Sequence, residues 1–268
     1  MEHKYPATKV MWIPDTVGDS PDLVASSSDS LRIWQMNPAG LNPVLKSTFS
    51  DSKSATLDSC APLTSFDWNA QDKDILGTAS FDSICTIWSV STGKPKTRLI
   101  AHDKEVFDIA FAQSTNVFAT VGADGSVRMF DLRSLAHSTI IYESPNLVPL
   151  LRVAWNKQDG NFLATFQSDS NSVAILDIRA PCIPVTELVG HSQPVNALSW
   201  APHSSCHIIT GAEDRSALIW DLSNMQKTTD TPILHYEADG EIDALQWSSL
   251  QNEWIAAAIG NKVQLLRV

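Results

Sequence analysis

The chain has 268 residues, a hydrophobic content of 43% and a formal net charge of −11. A chain of this length can bury a large core, and an all-β fold of this size can be one domain. The acidic balance would repel a phosphate backbone, so direct nucleic-acid binding is not expected. No apolar signal region or membrane-length apolar run is present, so we expect an intracellular protein that does not enter the membrane.

One short phrase recurs six times along the chain. Each copy has a small-residue turn, alternating apolar positions and a bulky closing residue, the pattern of a tight turn followed by a half-buried strand. In chain order the copies are SSDSLRIWQM (27–36), SFDSICTIWSV (80–90), GADGSVRMFDLR (122–133), QSDSNSVAILDI (167–178), GAEDRSALIWDL (211–222) and IGNKVQLLRV (259–268).

A second series of aromatic residues precedes the phrases at a constant phase. Its members are Trp12, Trp68, Phe111, Trp155, Trp200 and Trp247. Two series locked at a period of about 45 residues indicate one supersecondary unit repeated. The tryptophans are therefore interpreted as packing residues.

The third repeat shows what one unit contains. It reads as four short strands, VFDIAF, NVFATVG, SVRMFD and STIIYE, separated by turn residues. Four-strand units at this period are typical of β-propeller blades. We predict an all-β propeller in a single domain, residues 1–268, with repeats near 6–60, 61–103, 104–147, 148–192, 193–239 and 240–268. The last repeat ends after its third strand.

Two dipeptides give the chain a resemblance to WD-repeat proteins. Gly190-His191 and Trp220-Asp221 match the family's signature pairs, and Ala101-His102 and Phe130-Asp131 approach them. The resemblance implies a buried hydrogen-bond network of His191, Thr210, Asp214 and Trp220. In the third repeat it implies a partial copy from His102, Thr120 and Asp124, with Phe130 in the fourth place. We interpret both as structural, not as catalytic relays.

Longer stretches resemble the Transparent Testa Glabra family and its animal cullin-ligase-associated counterpart. These stretches include YPATKVMWIPDT, CAPLTSFDWN, LIAHDKEVFDIAFA, WAPHSSCH and DGEIDALQW. The family is seven-bladed, so the resemblance implies that a first blade is lacking here. The chain also looks short between Gly93 and Arg98, where we expect a trimmed strand.

Motifs for catalysis are not found: GxxxxGK[ST], GxSxG and HExxH are missing from the sequence. We expect no enzyme activity and no cofactor. The segment PHSSCH offers His203, Cys206 and His207, which could hold zinc with a fourth ligand, but we expect an ordinary loop and no metal. The scattered Cys60, Cys85, Cys182 and Cys206 favour reduced thiols. The serine-rich residues 50–59 are interpreted as a solvated loop, with phosphorylation as the alternative.

Two consecutive repeats end in an Asp-x-Arg sequence. These are Asp131-Leu132-Arg133 and Asp177-Ile178-Arg179, and they are similar to the paired box by which WD-repeat substrate receptors bind the adaptor of a cullin-RING ubiquitin ligase. An arginine fork can pair bidentately with a partner carboxylate. The alternative is an internal salt bridge to the neighbouring aspartate.

A second set of positions should face the opposite rim, where partners could bind. The set is Phe81, Phe107, Leu151, Asn196, Glu213 and Asp243. Apolar anchors among acidic neighbours are typical of interface hot spots. The alternative is that these side chains pack under loops.

The resulting functional hypothesis is a non-catalytic protein-interaction scaffold. By resemblance, its partners would be MYB and basic helix-loop-helix transcription factors or dual-specificity kinases, in the cytoplasm and the nucleus. The alternative function is a substrate receptor of a cullin-RING ubiquitin ligase.

Overall fold

The protein is built from β-strands. The computed structural model describes residues 3–15, 21–37, 42–49, 61–225 and 227–268. These residues form twenty-four strands and one 3₁₀ helix, Pro145–Leu147. Among them, no helix has the length and apolar character needed to cross a membrane. The serine-rich residues 50–59 and Cys60 lie outside the described ranges.

The first three sheets follow one another along the chain, and each has its strands in sequence order. The first contains β1 (Lys9–Trp12), β2 (Leu23–Ser27), β3 (Leu31–Gln35) and β4 (Val44–Phe49). The second contains β5 (Leu63–Trp68), β6 (Ile75–Ser80), β7 (Ile84–Ser89) and β8 (Lys94–Ile100). The third contains β9 (Val106–Phe111), β10 (Val117–Gly122), β11 (Ser126–Asp131) and β12 (Thr139–Glu143).

The remaining three sheets differ from this plan at two places. The fourth contains β13 (Leu150–Trp155), β14 (Phe162–Gln167), β15 (Ser172–Asp177) and β16 (Thr186–Val189), and β20 (Thr228–Thr229) pairs with β16 in parallel as a fifth strand. The fifth contains β17 (Val195–Trp200), β18 (His207–Ala212), β19 (Ser216–Asp221) and β21 (Leu234–Glu237). Among the described residues, the sixth contains β22 (Ile242–Trp247), β23 (Trp254–Ile259) and β24 (Lys262–Arg267).

The chain divides into two compact units. One contains Met1–Asp124 and Arg128–Ser138, and the other contains Gly125–Val127 and Thr139–Val268. In the first unit, buried clusters lie between the first and second sheets and between the second and third sheets. In the second unit, they lie between the fourth and fifth sheets and between the fifth and sixth sheets. Successive sheets therefore bury each other's apolar faces, since a single blade is too small to have its own core.

The first strand of five sheets carries a β-bulge at its second residue. The bulged residues, which have no partner in the register of the second strand, are Thr64, Phe107, Leu151, Asn196 and Asp243. A bulge adds one residue to one strand and changes the direction of its side chain. Four of these five residues belong to the predicted partner-binding rim, so the bulge is a shared device of the repeats that the periodic pattern did not reveal.

The predicted fold class is confirmed: the protein is all-β, with six blade-type repeats, and the last has three strands among the described residues. The expected trimming between Gly93 and Arg98 is wrong, because β8 is a seven-residue strand paired along β7. Trp12 also departs from the prediction that the repeat tryptophans are packing residues, since its side chain is 56% exposed. The single-domain boundaries and the lacking first blade stay predictions.

Candidate functional site

The fifth repeat contains a continuous hydrogen-bond chain of four side chains. Trp220 Nε1 donates to Thr210 Oγ1 at 2.9 Å, and Thr210 Oγ1 lies 2.8 Å from His191 Nε2. His191 Nδ1 lies 3.0 Å from Asp214 Oδ2. The structure thus brings together the four residues that the resemblance to WD-repeat proteins implies, with His191, Thr210 and Trp220 buried.

The direction of each bond follows from the groups at the two ends. An indole N–H can only donate and a carboxylate can only accept. The Asp214 carboxylate therefore accepts a hydrogen bond from His191 Nδ1–H, and the unprotonated Nε2 accepts one from the hydroxyl of Thr210. Burial lowers the pKa of His191 in spite of the nearby Asp214, which fits a neutral ring. Each side-chain nitrogen and oxygen of this four-residue network that is buried has a hydrogen-bond partner, as a structural network requires.

Backbone donors fix the carboxylate end of this network. The N–H groups of Ser192 and Ser216 each donate to Asp214 at 2.9 Å. Burial acts to raise the pKa of Asp214, but the two backbone bonds and the interactions with His191 together outweigh it, so its pKa lies below the ordinary value. The carboxylate therefore joins the segment before β17 to the turn before β19.

The third repeat forms the same bonds except the one that needs an indole. His102 Nε2 lies 2.8 Å from Thr120 Oγ1, and His102 Nδ1 lies 2.9 Å from Asp124 Oδ1. Phe130 stacks on Phe118 at a centroid distance of 5.2 Å and offers no donor. This repeat therefore keeps the structural bridge without the tryptophan.

Sequence reasoning missed a related network in the first repeat. Trp34 Nε1 donates to Ser26 Oγ at 2.7 Å, and His3 Nε2 lies 2.7 Å from the same hydroxyl. His3 Nδ1 lies 3.9 Å from Asp29 and has no hydrogen-bond partner among the described residues. The turn from Asp29 to Trp34 is one residue shorter than in the third and fifth repeats, and serine replaces threonine. Those two changes hide the copy from a search based on spacing.

The two Asp-x-Arg sequences form matching forks. Arg133 donates from Nε and Nη2 to the Asp131 carboxylate at 2.9 and 2.6 Å, and Arg179 donates to Asp177 at 2.9 and 2.7 Å. The backbone N–H of each arginine also donates to its aspartate. The internal salt bridge that the sequence left as an alternative is thus present in both repeats.

The salt bridge fixes each arginine without covering it. The Arg133 and Arg179 side chains are 71% and 61% exposed. Bonds from Arg133 hold the pKa of Asp131 at about 2, and those from Arg179 lower the pKa of Asp177. Each aspartate binds one edge of its guanidinium, while the edge formed by Nη1 and the outer N–H of Nη2 points away from it. The forks lie in different compact units, and each can offer this second edge to a partner.

The predicted metal-like segment is only partly brought together. The Cys206 and His207 side chains are neighbours, with Sγ 3.5 Å from Nδ1, and Asp221 lies beside them. The ring of His203 instead contacts Trp247 edge-on at 5.6 Å. The sequence therefore named the wrong third residue, because Asp221 comes from β19 and is distant in sequence. That no metal binds here stays a prediction.

In the second unit, two of the predicted rim residues are engaged inside the protein. The Asn196 amide donates to the carbonyl oxygen of Ile242 at 3.3 Å, which links the fifth sheet to the sixth. Leu151 is half-buried against the cluster of the fourth and fifth sheets. Glu213 and Asp243 are exposed, and Asp243 accepts the N–H of Gly260 at 3.2 Å.

In the first unit, the two predicted rim residues are aromatic. Phe81 is 52% exposed, and Phe107 is half-buried. Thr64 was not among the predicted rim residues. It is the bulged residue of the second sheet, as Phe107 is of the third, and its hydroxyl donates to the Val106 carbonyl. Bulge side chains in both units thus bond to the next sheet, so their position alone does not mark a partner-binding site.

Comparisons with known proteins support the repeat assignment. The model of the WD domain, G-beta repeat, matches residues 93–131 and 182–221. The chain is 57% identical over 267 residues to the DDB1- and CUL4-associated factor 7 homolog of Dictyostelium discoideum, covering 100% of this chain and 81% of the relative.

Two fungal relatives also match over most of the chain. A WD repeat-containing protein of Schizosaccharomyces pombe is 35% identical, covering 99% of this chain and 75% of the relative. One from Saccharomyces cerevisiae is 39% identical, covering 82% and 48% respectively. The chain therefore belongs to the WD-repeat family that includes the Dictyostelium DDB1- and CUL4-associated factor 7 homolog.

Proposed function

We propose that this WD-repeat protein is a substrate receptor that docks on a DDB1–CUL4 ubiquitin ligase. The name of the Dictyostelium relative supports an association with these two proteins. The receptor role is a binding role, consistent with the WD-repeat fold as an interaction scaffold. It replaces transcription-regulator or kinase assembly as the leading function, because the name of the Dictyostelium relative favours the ligase alternative.

The paired forks are the observation that carries this proposal. Two consecutive repeats hold an exposed arginine in the same geometry, at the same position after the third strand. The salt bridge of the first fork is open to solvent and adds little to folding stability, so stability alone does not account for two copies of the fork. A fixed guanidinium loses less freedom when it binds than a mobile one does. Each fork is therefore suited to take a carboxylate of DDB1 on its second edge.

Charge reversal at the two forks tests the proposal. We expect Arg133→Glu/Arg179→Glu to abolish binding to purified DDB1 in calorimetry, because the second edges would become acidic. Arg267→Glu is the matched control, since Arg267 is 68% exposed and also pairs with an acid, Glu253. The control should bind like the unmodified protein. If the unmodified protein does not bind DDB1, or if the double variant binds equally well, the proposal is wrong.

The finer partner classes stay predictions. MYB and basic helix-loop-helix factors, dual-specificity kinases and the Transparent Testa Glabra relationship rest only on the resemblance. Since fork reversal changes one position in each of two repeats, such partners should still co-purify with the double variant if they bind elsewhere. We also propose a cytoplasmic and nuclear distribution, which imaging of the tagged protein would test.

A further inference from the structure

The segment after the second fork presents an isoleucine to solvent. Ile183 is 73% exposed, in the connection between β15 and β16. A single exposed apolar residue is common and by itself means little. Here the backbone around it is fixed, and the residue lies four positions after Arg179, within about 14 Å of chain.

Backbone hydrogen bonds hold this segment at three points. The N–H of Ala180 donates to the Asp177 carbonyl at 3.0 Å, and that of Val185 donates to the Ile175 carbonyl at 2.8 Å. Between them, the N–H of Cys182 donates to the Ile141 carbonyl at 2.7 Å. Cys182 has a φ of 78°, a conformation that a residue other than glycine seldom adopts.

Prolines on both sides add to this rigidity. Pro181 and Pro184 flank Cys182 and Ile183, and each fixes its own φ. The Arg179 guanidinium is also positioned, by Asp177 and by the Phe162 ring at 5.8 Å. A cation and an apolar side chain thus project from one rigid segment, and little conformational entropy would be lost when they bind.

In the described connection between β11 and β12, which follows Arg133, the first fork has no large exposed apolar side chain that corresponds to Ile183. After Arg133, the chain turns with the N–H of Ser134 donating to the Asp131 carbonyl, and Leu135 packs against the cluster of the second and third sheets. The apolar residue of that segment is used for folding. The two forks therefore differ: one offers a charge, and the other offers a charge with an apolar neighbour.

We infer that Ile183 is an apolar anchor of the ligase contact, and this inference rests on the proposed function. In it, a carboxylate of DDB1 binds the second edge of Arg179, and an apolar pocket beside that carboxylate takes Ile183. The choice of occupant follows from the name of the Dictyostelium relative and from local charge, since the exposed guanidinium of Arg179 is suited to pair with a partner carboxylate. Burial of the apolar Ile183 side chain would contribute binding free energy that salt does not screen.

Binding of purified DDB1 by the full chain tests the inference. Ile183→Ser should weaken binding about tenfold or more, because an isoleucine side chain would no longer be buried. Ile100→Ser is the matched control, since Ile100 is 78% exposed in the second sheet, and it should bind normally. Raising the salt concentration should reduce the effect of Arg179→Ala but not that of Ile183→Ser. Both serine variants should keep the unfolding midpoint of the unmodified protein.

The outcomes separate the inference from the function on which it rests. If Arg133→Glu/Arg179→Glu abolishes binding while Ile183→Ser binds normally, the anchor is wrong and the ligase contact stands. If neither changes binding, both are wrong. If Ile100→Ser weakens binding as much as Ile183→Ser does, the loss is not specific to the fork, and the anchor is again wrong.

Discussion

The third and fifth repeats carry almost the same phrase but stabilise it differently. In the fifth repeat, Trp220 completes the bond chain through Thr210. Its ring leaves no room for a larger residue at Gly190, where an added Cβ would lie 2.7 Å from Trp220 Cη2. In the third repeat the corresponding pair is Ala101 and Phe130, both buried in one cluster. The smaller ring, that of Phe130, thus accompanies the larger neighbour, Ala101.

The carboxylates of the two networks share one kind of donor and differ in another. Asp214 accepts two backbone N–H groups at 2.9 Å. Asp124 accepts the backbone N–H of Asp103 at 3.4 Å and, in addition, Arg128 Nη2 at 3.0 Å; the same arginine donates to the Asp103 carboxylate at 2.6 Å. The network is therefore a structural device whose parts can be exchanged, as long as its buried polar atoms keep partners. This argues against a catalytic relay, which would need a fixed set of groups.

The largest expected effect distinguishes the two repeats by one bond. Thr210→Val would remove a hydroxyl that bonds both Trp220 Nε1 and His191 Nε2, while Thr120→Val would remove one that bonds His102 Nε2. Each lost buried hydrogen bond costs about 1–3 kcal/mol, so Thr210→Val should lower the free energy of unfolding by about 2–6 kcal/mol and Thr120→Val by about half as much. Urea denaturation of both variants measures the difference. Equal losses would show that the indole bond contributes nothing.

The networks also show how far the sequence could be interpreted. The six-repeat periodicity predicted the strands, because alternating apolar positions and turn residues are local signals. The four-residue network in the fifth repeat could be named because its family spacing is intact. The contacts of Arg128 with Asp124, of Cys182 with Ile141, and of Asp221 with Cys206 could not be predicted. Each of them forms only when the turns are folded. The copy at His3 was hidden by a turn one residue shorter.

Acid should affect stability through the buried histidines. Burial lowers the pKa of His191 and of His3 below 6.5, so the unfolded chain binds these protons more readily than the folded chain. Stability should therefore fall as the pH drops below about 6.5. The contribution of Asp214, whose pKa lies below 3.8, is lost only below that pH. His191→Gln should reduce the slope of unfolding midpoint against pH between 7 and 5. An unchanged slope would rule out His191 as a source of the acid sensitivity.

The smallest effect is expected at the forks. Arg133→Ala removes a salt bridge whose two side chains are both open to solvent, and such a pair contributes little to folding. Arg179 is also exposed, but its partner Asp177 is buried, so Arg179→Ala should cost somewhat more. Thermal unfolding at neutral pH should give an unchanged midpoint for Arg133→Ala and a small drop for Arg179→Ala. A clear drop for Arg133→Ala would contradict the view that this residue serves binding and not stability.

A double-mutant cycle at Gly190 and Trp220 tests the central claim most directly. Gly190→Ala should cost about 1–3 kcal/mol by overpacking against the indole. Trp220→Phe should cost about 2 kcal/mol through lost packing and a lost donor. The double variant recreates the Ala–Phe pair of the third repeat, so its loss should be smaller than the sum by about 1 kcal/mol or more. Losses that add to within about 0.5 kcal/mol would contradict the claim that the two repeats are exchangeable solutions to the same packing problem.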